Sequence, residues 1–179
     1  MRLPNPILGK YVNLRTAETS DAEFILSLRL DKELGRYIKK TDPSIEKQKI
    51  WIEQKQKKKN DYHMIIELKD TTRVGVIAVY DIKDGVFEWG RWIITPNSPI
   101  YISIESCYRA YDFAFNTLEL NITKSKIRKN NITVLGFHLN YGAKIIKEDD
   151  VYVYISYHKS NFISNSNFFQ KYKELLGLG

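Results

Sequence analysis

The chain has 179 residues, with 28 Lys or Arg against 21 Asp or Glu, a formal charge of +7 at pH 7. That length suits one domain, and 43% hydrophobic with 13% aromatic residues excludes wholesale disorder. One cysteine, Cys107, excludes an internal disulfide, and three scattered histidines show no zinc-ligand spacing. The apolar runs, such as residues 74–80, are too short to cross a bilayer. The opening MRLPNPILGKYVNLR lacks the apolar stretch of a secretory signal. The expectation is a cytoplasmic domain whose basic balance favours anionic partners.

No internal repeat or Gly/Ser/Pro-rich linker divides the chain. Residues 9–16 alternate as a first strand, and the Ser20–Glu23 spacing predicts a capping box opening a helix through Leu30. Asp42-Pro43-Ser44 starts a second helix, with Ile45, Ile50 and Ile52 apolar, to about Lys59. From Tyr62 the period changes to two. Three β-rich runs separated by KDTTR and DIKDG predict an antiparallel meander, stopped by Pro96-Asn97-Ser98-Pro99. A long helix carrying Glu105, Tyr108, Tyr111, Phe115 and Leu118 follows, then a strand at 123–129. A helix from Asn131 to about Tyr141 comes next, with Gly142 as its stop. Strands at 143–148 and 151–158 close the series, before a Ser/Asn-rich loop at 160–167 and a terminal helix FFQKYKELL. The order β-α-α-β-β-β-α-β-α-β-β predicts an α/β or α+β fold, a mixed sheet with helices on both faces. Residues 1–158 make the domain and 159–179 a C-terminal arm.

The Lys-rich stretch 47–60 has two readings, an RNA-binding patch or a solvated helix end that suits the helix dipole, and the second is preferred. No P-loop, dinucleotide or hydrolase-elbow motif occurs. His63 and His158 sit inside strand patterns and read as structural. His138 lies near a helix end and is by itself read as structural too. Glu88 is different, being a carboxylate on the half-buried strand VFEWGRWII, where period two puts it on one face with Gly90 and Trp92. Glu105 opens a helix, where the dipole favours a negative charge.

Several of these residues converge. LGKYVNLR at 8–15, SDAEF at 20–24, FEWGRWIITP, the stretch 104–121 from Ile104-Glu105-Ser106, and Lys129-Asn130-Asn131 followed by Phe137-His138 and Gly142-Ala143 stand in order. In them the chain resembles the GNAT superfamily of N-acetyltransferases, in its ribosomal-protein-acetyltransferase-like branch. The resemblance implies the GNAT fold, with a mixed, mostly antiparallel central sheet, and acetyl-CoA in a cleft between strands 86–95 and 123–129. It implies that the backbone of Trp92, Ile93 and Ile94 meets the pantetheine arm. Amides at the start of the next helix, around Ile102 and Ser103, would hold the pyrophosphate, and Asn131 and Phe137 would complete the cofactor side. His138 falls where the family places the acid for the departing thiolate, and Glu88 is the candidate base for the acceptor amine. Tyr80, Trp89 and Arg91 would face the acceptor.

One departure stands out: Ser98–Ser103, in the place of the family's glycine-rich phosphate loop, has no glycine and contains Pro99. The GRWI and IES versions, with FH in the later helix, look most like members that acetylate amino sugars linked to nucleotides such as dTDP or UDP. Such sugars feed O-antigen, capsule or flagellar glycans. The alternatives are acetylation of a protein N-terminus, a polyamine or an antibiotic, or a non-catalytic module that binds RNA or acyl-CoA. Nucleic acid and membrane insertion are not expected. The aromatic C-terminal segment (Phe162, Phe168, Phe169, Tyr172) suggests a homo-oligomer.

Overall fold

A computed structural model describes residues 1–163 and 173–174. The chain opens with β1 (Ile7–Leu8) and β2 (Val12–Thr16), then a 3-10 turn (Thr19–Asp21) leading into α1 (Ala22–Leu30) and α2 (Ile45–Lys57). The meander is β3 (Tyr62–Leu68), β4 (Arg73–Lys83) and β5 (Val86–Ile94). After it come α3 (Ile100–Asp112), running into a π-helical turn (Phe113–Thr117), β6 (Ile122–Arg128) and α4 (Ile132–Asn140). The described chain ends with β7 (Lys144–Glu148), β8 (Tyr152–His158) and α5 (Lys159–Ile163). The strands form one sheet in the order β1-β2-β3-β4-β5-β6-β8-β7. Its pairings are antiparallel except β5 with β6.

The predicted meander and the mixed sheet are present. The β4–β5 hairpin turns on Asp84 and Gly85, both with positive φ, as a two-residue turn matched to strand twist requires. Ser44 caps α2 as expected, its hydroxyl accepting from the Lys47 amide. Alternation along the strands sorts the core onto two faces. Leu14, Met64, Ile66, Ile77, Phe87 and Trp89 pack with α3 on one face. Ile65, Val76 and Ile93 pack with Ile25, Leu28 and Ile52 of α1 and α2 on the other.

Several boundaries differ from the sequence expectation. The first strand is broken at Gly9–Tyr11, because the buried Glu105 carboxylate accepts from the amides of Lys10, Tyr11 and Val12 at 2.6–3.0 Å. A Cβ on Gly9 would collide with that carboxylate and with the Val12 carbonyl. Glu105 therefore lies inside α3 and ties down a turn; it does not serve a helix N-terminus. The first capping box is Glu18 with Asp21, not Ser20 with Glu23, since Asp21 is held by Arg15 in a buried bidentate pair. The helix expected around Glu105 begins at Ile100, directly after Pro99, so most of the stretch taken for a phosphate loop is the first turn of α3. The expected loop at 160–167 starts as helix α5, and its Phe162 is buried against Tyr108 and Phe115. The rest of that loop and nearly all of the expected terminal helix lie outside the described residues.

Candidate active site

The site is made by a misfit between β5 and β6. Their parallel pairing consists of Val86↔Ile122 and Phe87↔Thr123. Beyond it a cleft of about 380 Å³ lies between Glu88–Trp92 of β5 and Ser125–Ile127 of β6, reaching Asn131, Val134 and His138 of the α4 region. In the same stretch β5 carries a bulge. Ala78 pairs Gly90 and Val76 pairs Ile93, so β5 has one residue more than β4 there, with Arg91 at φ +48°. The bulge reverses the alternation. Trp89 and Trp92 therefore lie on the same side, ring centroids 5.5 Å apart. The expectation that Glu88 and Trp92 share a face fails for this reason, because strict period two does not survive an inserted residue.

Glu88 stands on the α1–α2 side of β5, directly opposite Tyr80, whose hydroxyl donates to Glu88 Oε1 at 2.8 Å. A Cβ on Gly90 would lie 3.1 Å from that hydroxyl, so glycine keeps the Tyr80 ring in place. Burial pushes the Glu88 carboxyl above the usual carboxylate range, the Tyr80 hydroxyl partly opposing it. Arg91 lies over the Tyr80 ring at 4.0 Å and forms a two-pronged pair with the fully buried Asp61 at 2.6 and 3.1 Å. Burial alone would raise the Asp61 carboxyl, but Arg91 and Lys55 outweigh it and hold it below the carboxylate range. Of the expected acceptor-side residues, Tyr80 and Arg91 thus line the cleft with their polar groups already engaged. Arg29, Lys39, Trp51 and Lys126 line it as well. The sequence carried no pattern that singled these four out.

The opposite side of β5 is aromatic. Trp89 is buried, and its indole N–H donates to Tyr111 Oη at 2.7 Å. Tyr111 Oη is 2.6 Å from Tyr141 Oη, which is 2.5 Å from His138 Nδ1. The imidazole is 4% exposed and packs 5.0 Å from the Trp89 ring. Burial lowers its pKa to about 3, so His138 is neutral at pH 7. Tyr141 was missed in the sequence. Its only signal is the i, i+3 spacing from His138, which brings the two side chains together on a helical turn.

A family profile described as "Acetyltransferase (GNAT) domain" matches residues 12–144, well over half of the chain. The chain belongs to the GNAT acetyltransferase family. Among solved structures it is similar to FdhC, described as a nucleotide-linked sugar GNAT. The two share 31% identity over 98% of this chain and 100% of that one, with a TM-score of 0.85. At fold level it also resembles spermidine N-acetyltransferase from Vibrio cholerae, crystallised with CoA and spermine. There the identity is 15% over 86% of this chain and 98% of that one, at TM-score 0.76. Mycobacterium smegmatis RimJ, crystallised with CoA-disulfide, is 14% identical over 96% and 94%, at TM-score 0.77. No curated protein sequence matches the chain.

As a GNAT acetyltransferase the protein takes its acetyl group from acetyl-CoA, and the cleft chemistry fits that co-substrate. The unpaired β5 and β6 edges offer amides and carbonyls to an extended amide-bearing arm. Asn131 caps α4, its Oδ1 accepting from the Val134 amide at 3.4 Å while the residue lines the cleft. Trp92 lines it too, its indole N–H donating to Ser106 Oγ at 3.3 Å. Ile93 is buried on the α1–α2 face, while Ile94 and Phe137 pack against the α3-side core. The start of α3 differs from the expectation. Ile102 is buried, and its amide donates to the Pro99 carbonyl at 3.0 Å, so neither its side chain nor its N–H is open to a phosphate. Ser103, half-buried one residue on, stays at the helix surface.

Proposed function

We propose that this GNAT protein acetylates the amine of a nucleotide-linked amino-deoxysugar, a precursor of a bacterial surface glycan. The end-to-end likeness to FdhC, at 31% identity, carries the proposal. The cleft supports it. Its wall holds Arg29, Lys39 and Lys126, beside the Asp61-paired Arg91, around the single carboxylate Glu88, a field that attracts an anionic acceptor and repels a polycation such as spermidine.

Acetyl-CoA supplies the acetyl group as a thioester. Glu88, with its raised pKa and its place on the acceptor face, takes the proton the amine must lose, directly or through one water. Backbone amides of β5 beyond Phe87, left unpaired by β6, polarise the carbonyl oxygen. Trp92, Ile93 and Ile94 present that backbone to the pantetheine arm, Asn131 and Phe137 border it, and Ser103 with the first turn of α3 serves the phosphates. His138 acts as a neutral imidazole: at a pKa near 3 it is no imidazolium at pH 7, and its part is to donate a hydrogen bond from Nε2 to the departing thiolate. The aromatic run supports that tautomer. With the indole N–H donating to Tyr111 Oη, this reading runs the hydroxyl protons outward, Tyr111 donating to Tyr141 and Tyr141 to His138 Nδ1. The ring proton is then left on Nε2.

A thiol-release screen tests the proposal, with acetyl-CoA and a panel of dTDP- and UDP-linked amino sugars beside spermidine and peptide N-termini. The expected result is turnover confined to nucleotide-linked sugars. Turnover on spermidine or peptides alone would replace the substrate class.

A further inference from the structure

Next to the cleft, and sharing Arg29, Lys39 and Trp51 with it, is a second hollow of about 300 Å³. It lies between the end of α1, the segment 39–42 and the first turns of α2. Its charge is lopsided. Arg29, Lys39, Lys40 and Lys47 face a single carboxylate, Asp42, and Asp42 is already paired with Lys47.

Two of its groups are built into the wall. Arg29 is half-buried, its Nε donates to Thr41 Oγ1 at 2.9 Å, and it makes no ion pair among the described residues. Burial and the neighbouring Arg91 both act against its charge, and Arg91 has its own counter-ion in Asp61. Gln48 is 6% exposed, and its buried Nε2 has no hydrogen-bond partner among the described residues. A half-buried cation without a carboxylate and a buried amide donor without an acceptor are both unfavourable by themselves. One ligand type answers both, an anion rich in acceptor oxygens.

We propose that this hollow is a diphosphate subsite, with Arg29 and Gln48 as its inner donors and Lys39 and Lys40 at its rim. The shared wall then lets one elongated ligand place its phosphates here and its amine beside Glu88. The assignment rests on the nucleotide-linked acceptor proposed above and adds the residues that would recognise it. A planar guanidinium suits the diphosphate because its forked N–H groups meet two phosphate oxygens at once. The same chemistry occurs in CoA, so the test must separate the two sources.

Calorimetry on the full chain is the test, with dTDP, UDP and inorganic pyrophosphate as probes in one arm and CoA in the other. The variants are Arg29→Gln, Gln48→Leu and the exposed rim pair Lys39→Ala/Lys40→Ala, which keeps the test alive if an inner variant fails to fold. Each should weaken nucleoside diphosphate binding, by about 10-fold for Arg29→Gln as for a lost charged hydrogen bond. The rim pair should also flatten the dependence of affinity on salt, while CoA affinity stays within about two-fold. Three results would overturn the subsite: no wild-type binding of any of the three probes, unchanged affinity in folded variants, or an equal loss for CoA. The two proposals fail differently. Turnover of nucleotide-linked sugars with wild-type KM in the variants removes the subsite alone. Variant-sensitive diphosphate binding without such turnover removes the proposed acceptor and keeps the subsite.

Discussion

The two sides of β5 carry polar groups of opposite kinds. On the α1–α2 side, Glu88 is an ionisable group at the cleft wall, tuned by partial burial and one tyrosine hydroxyl. On the α3–α4 side, Trp89, Tyr111, Tyr141 and His138 form a run of neutral groups in a nearly dry core. Ordinary alternation puts Glu88 and its neighbour Trp89 on opposite faces of one strand, and the Arg91 bulge then brings Trp92 round to the Trp89 side. A group that must change charge is kept near water. A group that need only hold a hydrogen bond can be buried, where such bonds are electrostatically stronger.

The comparison can be broken most severely at His138. His138→Ala removes the proposed donor for the thiolate, and turnover should fall by about 10-fold or more, within the range for proton-transfer groups. Acceptor KM should hardly change. A stable variant with wild-type turnover would leave the aromatic side without a catalytic part, so its melting temperature is measured beside its kinetics. Glu88→Gln should come next. If Glu88 is the base, as proposed, the wild-type rate should climb with pH as its raised carboxyl ionises, and that limb should vanish in the variant. A retained limb would assign the base to another group or to solvent.

Tyr141→Phe should have a smaller effect, a few-fold in turnover. Its value is spectroscopic: ring nitrogen shifts should report Nε2–H in the wild type and a tautomer mixture in the variant. Nδ1–H in the wild type would reverse the direction of the run. A further prediction concerns acid and reads stability, not turnover. His63 and His138 are both buried with pKa near 3, against about 6.5 in an unfolded chain. Between those values the unfolded state binds more protons, so stability is intact above pH 6.5 and falls as pH drops towards 3. Each histidine contributes about 1.4 kcal/mol per pH unit in that window. Denaturant melts at pH 6.5, 5.5 and 4.5 should show a slope that replacing His63 with Gln reduces by about half, by that same linkage.

Sequence patterning was most informative where geometry is regular. Period two exposed the meander and period 3.6 the helices, and the ordered motifs brought Glu88, Asn131 and His138 to one cleft. What stayed hidden depends on irregular or long-range features. No periodicity announces an inserted residue at Arg91, so the face of Trp92 came out wrong. Nothing local to Glu105 shows that it is to accept amides from Lys10, Tyr11 and Val12. Arg29, Gln48 and Trp51 read as ordinary helix residues until α1 and α2 are packed side by side, and the Tyr111–Tyr141 contact needs α3 and the end of α4 packed on the same face of the sheet.

The Glu105 carboxylate also has a bearing on the order in which the chain can be completed during synthesis. The Lys10 amide and its acceptor are 95 positions apart. The amides at the Gly9 turn therefore emerge from the ribosome long before the side chain that will satisfy them. Until α3 has been made, the first edge of the sheet is held by its pairing with β3 and by the Lys69 ammonium on the Gly9 carbonyl, while the amides of Lys10, Tyr11 and Val12 still lack their carboxylate. Growth of the sheet from its N-terminal edge is thus provisional. The helix that closes the turn arrives after the central meander, so the earliest residues to be made are among the last to be locked.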